Sequence, residues 1–560
     1  MLRNKLLPLA ILGLAILVSG QSAFAVDLPT AGSQIQQIPP PPTPEKAAPE
    51  VQVKQKSAPT VVMPDTVKIL VNRLRVTGAI VYTEANLVAL TGFKPASQLT
   101  LTELRAMAAK ITDWYHKNGY FVARAYLPAQ DIKGGVVTIA IAEGRYGKVI
   151  LRNHTNLSDS LALSQLSGIN TGDTIAIDPL DSRLLLLSDI PGVITTSTLT
   201  PSASPGASDL IVDVAPGRRI TGSIDADNAG NRYTGEYRLG ATVNFNDLLG
   251  RGDVASVRAM TSGRGMNYGR ASYQMQFGKA TVGVAYSRLG YRLGKEFEDL
   301  DANGTAEVAS VYGSYPLIRS RNNNLYAQLA YEDRTFKDRQ DATGFATDKK
   351  AHVLMASLYG DRRDNLGGGG LNRYSLTWSF GNLNIQTPEA RAYDNQYAHS
   401  NGAYNKIGFS ASRLQHITDS VSFYAGIRGQ WASKNLDISE KMELGGMYGV
   451  RAYPEGEAFG DQGYILNLEA RWQLPKFAPR MPGQVQLIGF VDTGTVITNK
   501  SNWTSGPNRR TLSAAGVGIN WAEANNFSVT AYYAHKLGNA QAQSGPNKSG
   551  LFWIQMVKYF

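Results

Sequence analysis

The chain has 560 residues, no cysteine, six histidines and a formal net charge of +11. Without cysteine there is no disulfide framework, no thiolate-held zinc and no thiol chemistry, and a thiol-free chain suits an oxidising compartment. The histidines (His116, His154, His352, His399, His416, His535) fall at no metal-ligand spacing, so neither a metal nor another cofactor is expected.

Arg3 and Lys5 precede an apolar run from Leu6 to Val18, and Ala23-Phe24-Ala25 follows. A basic start, a short apolar stretch and an Ala-x-Ala site describe a secretory signal peptide over residues 1–25, cleaved after Ala25. The run is shorter than the about 20 residues that a spanning helix needs. No later segment is long and apolar enough either, so a membrane form of this chain has to be a barrel. Residues 26–64 read as a proline-rich linker, with prolines in a row at 39–42 and an extended, helix-poor composition. A short helix is expected only around Ser33 to Gln37. The positive charge does not point to nucleic acid, because an exported chain rarely meets it and no basic helix or basic-aromatic cluster stands out.

Residues 65–146 and 147–217 read as two α/β domains. The first opens with a strand-like run over 67–76, ending at Gly78, and a short helix over 83–90. Thr100 and Glu103 form a capping box. The helix behind it sets Leu104, Met107, Ala108, Ile111 and Tyr115 on one face and stops at Asn118-Gly119. Strands at 122–127 and 136–142 follow. The order then recurs as a strand at 148–151, helices at 158–166 and 178–187, and strands at 195–200 and 210–214. This is a tandem repeat of about 75 residues, each unit a split sheet with two helices on one face.

From Arg218 to Phe560 the period of the apolar residues becomes two. Segments of about ten residues alternate apolar and polar positions, and roughly sixteen of them can be counted, an even number as bacterial barrels require. Their connections differ in length. Those at 246–251, 278–279 and 417–418 are tight, whereas those at 290–305, 334–350, 382–405, 432–463 and 496–510 are long. Short turns on one rim and long loops on the other are the asymmetry of an outer-membrane barrel. At the end of the chain Phe552, Ile554, Met556 and Phe560 share one face, and Phe560 resembles the aromatic terminal signal of such barrels. Arg251-Gly252-Asp253 spells an integrin tripeptide, but it falls in the first short turn, where turn chemistry explains it. The glycines at 367–370 have no Lys-Ser/Thr after them, so they are no phosphate loop. No catalytic triad is present, and no enzyme activity is expected.

Signal peptide, proline-rich segment, two repeats and a terminal barrel together resemble the two-partner secretion outer-membrane transporters (the TpsB family, of haemolysin/haemagglutinin secretion-activation type) in the POTRA-barrel superfamily. The resemblance covers essentially the whole mature chain. It implies a mainly β fold: a C-terminal 16-stranded transmembrane antiparallel β-barrel over 218–560, preceded by two periplasmic α/β POTRA domains. Val450-Arg451-Ala452-Tyr453 resembles the family's Val-Arg-Gly-Tyr signature at the tip of the sixth external loop, with Ala452 where the family carries glycine. Phe490, Asp492 and Gly494 resemble its Phe-x-Asp-x-Gly signature on the thirteenth strand. Strand alternation agrees, since it turns Val485, Leu487 and Val491 to lipid and Gln486, Phe490 and Asp492 inward. A loop folded into the lumen would then bring Arg451 to Asp492, with Glu469 and Arg471 on the next wall strand in a polar set with Asn467 and Gln473.

The implied function is export of a large partner protein, adhesin or haemolysin-like, from the periplasm of a Gram-negative bacterium to its surface. The implied partners are that client, outer-membrane lipid, and the barrel assembly machinery acting through the C-terminal strand, with the transporter a monomer. The alternatives are an assembly factor of the same superfamily, which would resemble longer POTRA arrays, and a passive porin. The family often carries an N-terminal plug helix. Here so few residues precede the prolines that such a helix is either very short or absent.

Overall fold

The computed structural model describes residues 28–44, 51–53 and 67–560, apart from 205, 477 and 479. The signal-peptide expectation lies outside the described residues, as do residues 26–27, 45–50 and 54–64 of the linker. Among the described residues no helix is long and apolar enough to cross a membrane. The membrane element is instead a closed barrel of sixteen antiparallel strands, from Ile220–Asp227 to Gly550–Tyr559.

The barrel follows from strict alternation. On the strand Gln484–Ile497, Leu487 and Val491 are exposed to the lipid side while Ile488, Phe490 and Asp492 are buried. Closure is made by the first and last strands, paired from Ser223 with Tyr559 to Asp227 with Gln555. Gly222 and Phe560 exchange two backbone hydrogen bonds of 3.1 Å at its periplasmic end. A Cβ on Gly222 would stand 2.5 Å from Phe560 Cζ, so glycine there leaves room for the terminal ring.

One loop expectation is corrected. Residues 334–350 are not a long excursion: the strands Asn323–Gln340 and Phe345–Asp364 run on and leave only 341–344 between them. Charges such as Arg334, Lys337 and Arg339 hid a hairpin whose upper part needs no lipid face, and Arg339 pairs there with Asp348 at 2.7 Å.

Two small domains stand before the barrel. In the first, the expected run 67–76 is two strands. Ile69–Val71 pairs with Ser97–Leu99, and Arg73–Thr77 runs parallel to Val136–Ala142. The break falls at Asn72, whose backbone N–H donates to Gly135 O at 2.8 Å. The capping box forms as read, with Thr100 and Glu103 each receiving the other's backbone N–H at the head of the helix Leu101–Lys117. That helix lays Leu104, Ala108, Ile111 and Tyr115 on the sheet. The second domain repeats the plan with helices Asp159–Gln165 and Ile177–Asp189 over strands Arg145–Asn153, Val193–Pro201 and Ala207–Pro216. Ser158 heads the first of these helices without a side-chain cap bond.

The second domain is bolted to the turn side of the barrel. Arg319 holds Asp189 at 2.6 Å and Arg321 holds Asp181 at 2.5 Å. Gln165 donates to Gly278 O at 2.6 Å, and Ser158 N–H donates to Gly250 O at 2.9 Å in the turn that contains Arg251-Gly252-Asp253. In that turn Asp253 accepts from the backbone of Leu249 and Arg251 at 3.0 and 3.3 Å, which is turn chemistry.

The first domain hinges on one carboxylate. Glu143 accepts from Ile80 N–H at 2.7 Å, Val81 N–H at 2.8 Å and Tyr115 O–H at 2.9 Å, and it is buried. Burial, then the hydrogen bond to Glu143, pushes the Tyr115 hydroxyl above the usual tyrosine range. Glu143→Leu leaves three donors without an acceptor and should weaken this domain by about 3 kcal/mol. Amide exchange across Leu101–Lys117 in the full chain should speed up accordingly; unchanged protection would contradict this.

Candidate functional site

The sixth external loop, between the strands Val421–Ala432 and Gln462–Gln473, folds back into the barrel. It carries a two-residue ladder, Met442–Glu443 against Phe459–Gly460, and a compact tip. Val450 N–H donates to Leu444 O at 2.7 Å and Gly446 N–H to Tyr453 O at 3.0 Å. Gly446 has a φ of +89°, which a side chain would resist. Ala452 is not among the non-glycine residues with positive φ and is fully buried, so alanine meets no strain where the family has glycine.

The loop tip brings Arg451 to the wall. Its Nε and Nη2 donate to the two oxygens of Asp492 at 2.8 and 2.7 Å, and its backbone N–H reaches the same carboxylate at 3.2 Å. Nη1 stands 2.9 Å from Glu469, whose other oxygen is held by Arg471 Nε and Nη2 at 2.9 and 2.7 Å. Two guanidinium groups therefore balance two carboxylates in a site where Arg451, Glu469 and Asp492 are all buried. Such a cluster is tolerated because every charge has fixed partners. Burial alone would pull the Arg451 guanidinium down. The hydrogen bonds and charge of Asp492, with Glu469 behind them, outweigh it and hold the group above the usual arginine range.

The signature residues have separate tasks. The Phe490 ring lies 3.5 Å under the Arg451 guanidinium carbon, a cation–π contact. Gly494 makes room for the loop, since a Cβ there would be 2.9 Å from Leu444 Cδ2. Val450, Ala452 and Tyr453 form an apolar plug against Ile465, Leu512 and Ala514, and Tyr453 O–H donates to Ala540 O at 3.1 Å. Asn467 donates to Asp492 at 2.7 Å and to Gly449 O at 3.1 Å. Phe560 lies apart from this cluster, at the barrel seam.

Two contributors were not singled out from the sequence. Tyr532 lies 4.7 Å from the Arg451 guanidinium carbon, and Trp553 Nε1–H donates to Arg451 O at 2.6 Å. They face each other across neighbouring strands. The signal was available: Trp553 sits on the opposite face from Phe552, Ile554 and Met556, and is therefore inward.

The linker supplies a second occupant of the lumen. Ala31–Gln36 is a six-residue helix with a Thr30–Ser33 capping box. Its Ala31 N–H donates to Asp338 at 2.7 Å, Gln34 accepts from Thr234 at 2.6 Å, and Gln36 donates to Ile438 O at 3.1 Å. Gln37 donates to Glu443 at 3.0 Å and its carbonyl accepts from Arg238 at 2.9 Å. Burial holds the Glu443 carboxyl above the usual carboxylate range. A cavity of about 600 Å³ remains beneath the helix, between Ile35–Pro41 and wall residues including Arg258, Arg270 and Glu332. The short helix expected around Ser33 to Gln37 spans Ala31–Gln36. The described residues contain no cluster of side chains able to hold a metal ion.

Residues 206–521 match the family described as haemolysin secretion/activation protein ShlB/FhaC/HecB, and residues 69–144 match the POTRA domain of ShlB type. The chain belongs to this family. It is 30% identical to the heme/hemopexin transporter protein HuxB of Haemophilus influenzae (strain ATCC 51907 / DSM 11121 / KW20 / Rd), over 83% of this chain and 82% of that one. It is 25% identical to the outer membrane transporter CdiB of Dickeya dadantii (strain 3937), over 72% of each chain. The solved structure of CdiB from Escherichia coli shares the fold, with a TM-score of 0.65 at 20% identity over 90% of this chain and 93% of that one. These relatives are transporters, and with its barrel and POTRA domains the chain is an outer-membrane secretion protein of the same family, with the POTRA domains in the periplasm.

Proposed function

We propose that this chain exports one large exoprotein, adhesin or haemolysin-like, receiving it unfolded on residues 65–217 and passing it through a barrel that is closed at rest. The observation that carries this reading is the presence of two occupants of the lumen, the folded-in loop around Arg451 and the helix Ala31–Gln36. A passive porin has no use for two internal stoppers with hydrogen-bonded anchors. An assembly factor is disfavoured by the two-domain periplasmic part. In this reading residues 1–25 are a cleaved signal peptide and 26–64 the linker, the POTRA domains span 65–146 and 147–217, and Phe560 is read by the assembly machinery as the monomeric barrel enters lipid. The Val450–Tyr453 tip with Phe490, Asp492 and Gly494 is the latch that a passing client must shift. The chain works as a conduit and not as an enzyme, and folding of the client outside drives transport.

The test is co-expression with a candidate large exoprotein. The exoprotein should reach the cell surface only when this chain is present. Periplasmic retention beside a correctly inserted barrel would overturn the reading.

A further inference from the structure

The lipid-facing side of the barrel is not evenly covered. The strand Ala280–Arg292 rises from the short periplasmic turn at 278–279, and its outward positions run Val282, Val284, Tyr286, Arg288, Gly290 and Arg292. The two valines belong to the apolar band and Tyr286 to the aromatic girdle at its outer edge. Arg288 therefore stands where the headgroups of the outer leaflet begin.

Beside Arg288 the wall is hollowed. The register sets Ala241, Ala259, Gly269 and Arg288 opposite one another on four neighbouring strands. A Cβ on Gly269, or on Gly290 further up, would meet nothing within 4 Å. One row nearer the periplasm the same strands carry Val243, Val257, Ala271 and Tyr286, so the loss of bulk is local. The result is an open groove of about 660 Å³, with Leu239 at one end and Arg288 at the other.

The cations at the rim are loosely held. Arg288 Nη1 stands 3.4 Å from Glu307 and Arg292 Nη1 stands 3.6 Å from Asp301. Both distances exceed the about 2.7–2.9 Å of a charge-assisted hydrogen bond. The two arginine side chains are 62% and 65% exposed, and exposed pairs of this kind bind their partners weakly. A guanidinium so placed can turn to a phosphate and meet it with two parallel N–H bonds. Lys337, also exposed, lies opposite Thr305, which in turn lies opposite Gly290. Two strand spacings put it about 10 Å across the surface from the groove, within reach of a second phosphate on the same headgroup.

We propose that this groove binds a phosphate-bearing, multiply acylated glycolipid of the outer leaflet, with one acyl chain over Ala241, Ala259 and Gly269 and the headgroup phosphates on Arg288, Arg292 and Lys337. Charge and place select the occupant. The groove meets the apolar band below and cations above, so it fits a molecule that joins an alkyl chain to more than one negative charge. A soluble anion leaves the floor bare, and a zwitterionic lipid brings its own cation to the arginines. The site backs onto the lumen: Met260, Met266 and Leu289, on the same strands but facing inward, pack with Ala31 of the helix Ala31–Gln36. A lipid in the groove thus braces from outside the wall on which that helix sits. The proposal needs the barrel's place in the outer membrane and is independent of the export reading.

The test uses the full-length chain, purified in detergent and freed of lipid. The probes are diphosphorylated lipid A, the same lipid stripped of both phosphates, and inorganic phosphate alone. Binding is read by native mass spectrometry and by the melting temperature. Diphosphorylated lipid A should bind about tenfold more tightly than the stripped form and raise the melting temperature by several degrees, as a ligand of the folded state does. Inorganic phosphate should do neither. Arg288→Gln with Arg292→Gln should lose the preference for phosphate. Gly269→Leu, which fills the floor where a side chain has room, should weaken binding several-fold and keep that preference. Both variants should melt as wild type does without lipid, which separates loss of the site from loss of the fold. Equal binding of the two lipids by wild type would overturn the proposal, as would an undiminished preference in the arginine variant, or full protection by inorganic phosphate alone.

Discussion

Arg451→Ala is expected to cut surface delivery of the exoprotein at least tenfold while the barrel still inserts at normal levels. The substitution removes one positive charge from a set of two guanidinium groups and two carboxylates, of which Arg451, Glu469 and Asp492 are buried. Asp492 then keeps only Asn467 and a backbone N–H, and Glu469 keeps only Arg471. Breaking a buried pair from one side costs about 3–5 kcal/mol, because the remaining charge stays buried without its partner. The loop has other holds: Tyr453 and Val450 in the apolar plug, and Glu457, which accepts from the backbone of Gln543 and Ser544 at 2.9 and 2.7 Å. The barrel therefore survives, and the loss falls on the position of the loop. Limited proteolysis should cut within 445–460 in the variant and not in wild type. Arg451→Lys should not rescue, since an ammonium cannot make the two parallel bonds to Asp492 while also meeting Glu469. Arg451→Ala combined with Asp492→Ala should be less damaging than the sum of the two, the mark of a direct pair. Wild-type export and wild-type protease resistance in Arg451→Ala would remove the latch from the mechanism.

The Arg451–Asp492 contact was legible because two independent regularities met on it. Strand alternation places Asp492 inward, and the tip signature places Arg451 at the turn of the longest loop. Glu469 and Arg471 were legible from the same alternation on the preceding strand. The remainder depends on the closed shape. Tyr532 and Trp553 reach Arg451 only because the last strands curve round to meet the first, and no local pattern states how far a loop extends into a lumen. The hairpin at 323–364 shows the converse limit, since alternation is readable only while one face meets lipid. Above the membrane both faces carry charges, and the sequence then looks like loop although the ladder continues. The strand Val51–Val53, which pairs parallel with Val193–Pro201, carries even less signal. Three residues among prolines and lysines have no period, and its partner is about 145 positions away in the chain.

Deleting residues 28–41 should turn a closed barrel into a leaky one. The plug helix is too short to be stable alone, so its presence in the lumen depends on the bonds from Asp338, Thr234, Arg238, Glu443 and Ile438 and on the burial of Ala31 among Tyr233, Met260, Leu289 and Phe336. None of these groups belongs to the Arg451 latch, which stands against the strands Gln462–Gln473 and Gln484–Ile497. Ile438 and Glu443, however, belong to the same loop as Arg451, so the two closures touch and their effects should couple rather than simply add. Removing the helix joins its volume to the cavity of about 600 Å³ beneath it. Single-channel conductance in planar bilayers should rise at least severalfold, and cells should become sensitive to a large hydrophilic antibiotic such as vancomycin. Arg451→Ala on its own should change conductance less, since the helix still fills its side of the lumen, and the combined variant should be the leakiest of the three. Unchanged conductance after the deletion would mean that the folded-in loop seals the barrel by itself.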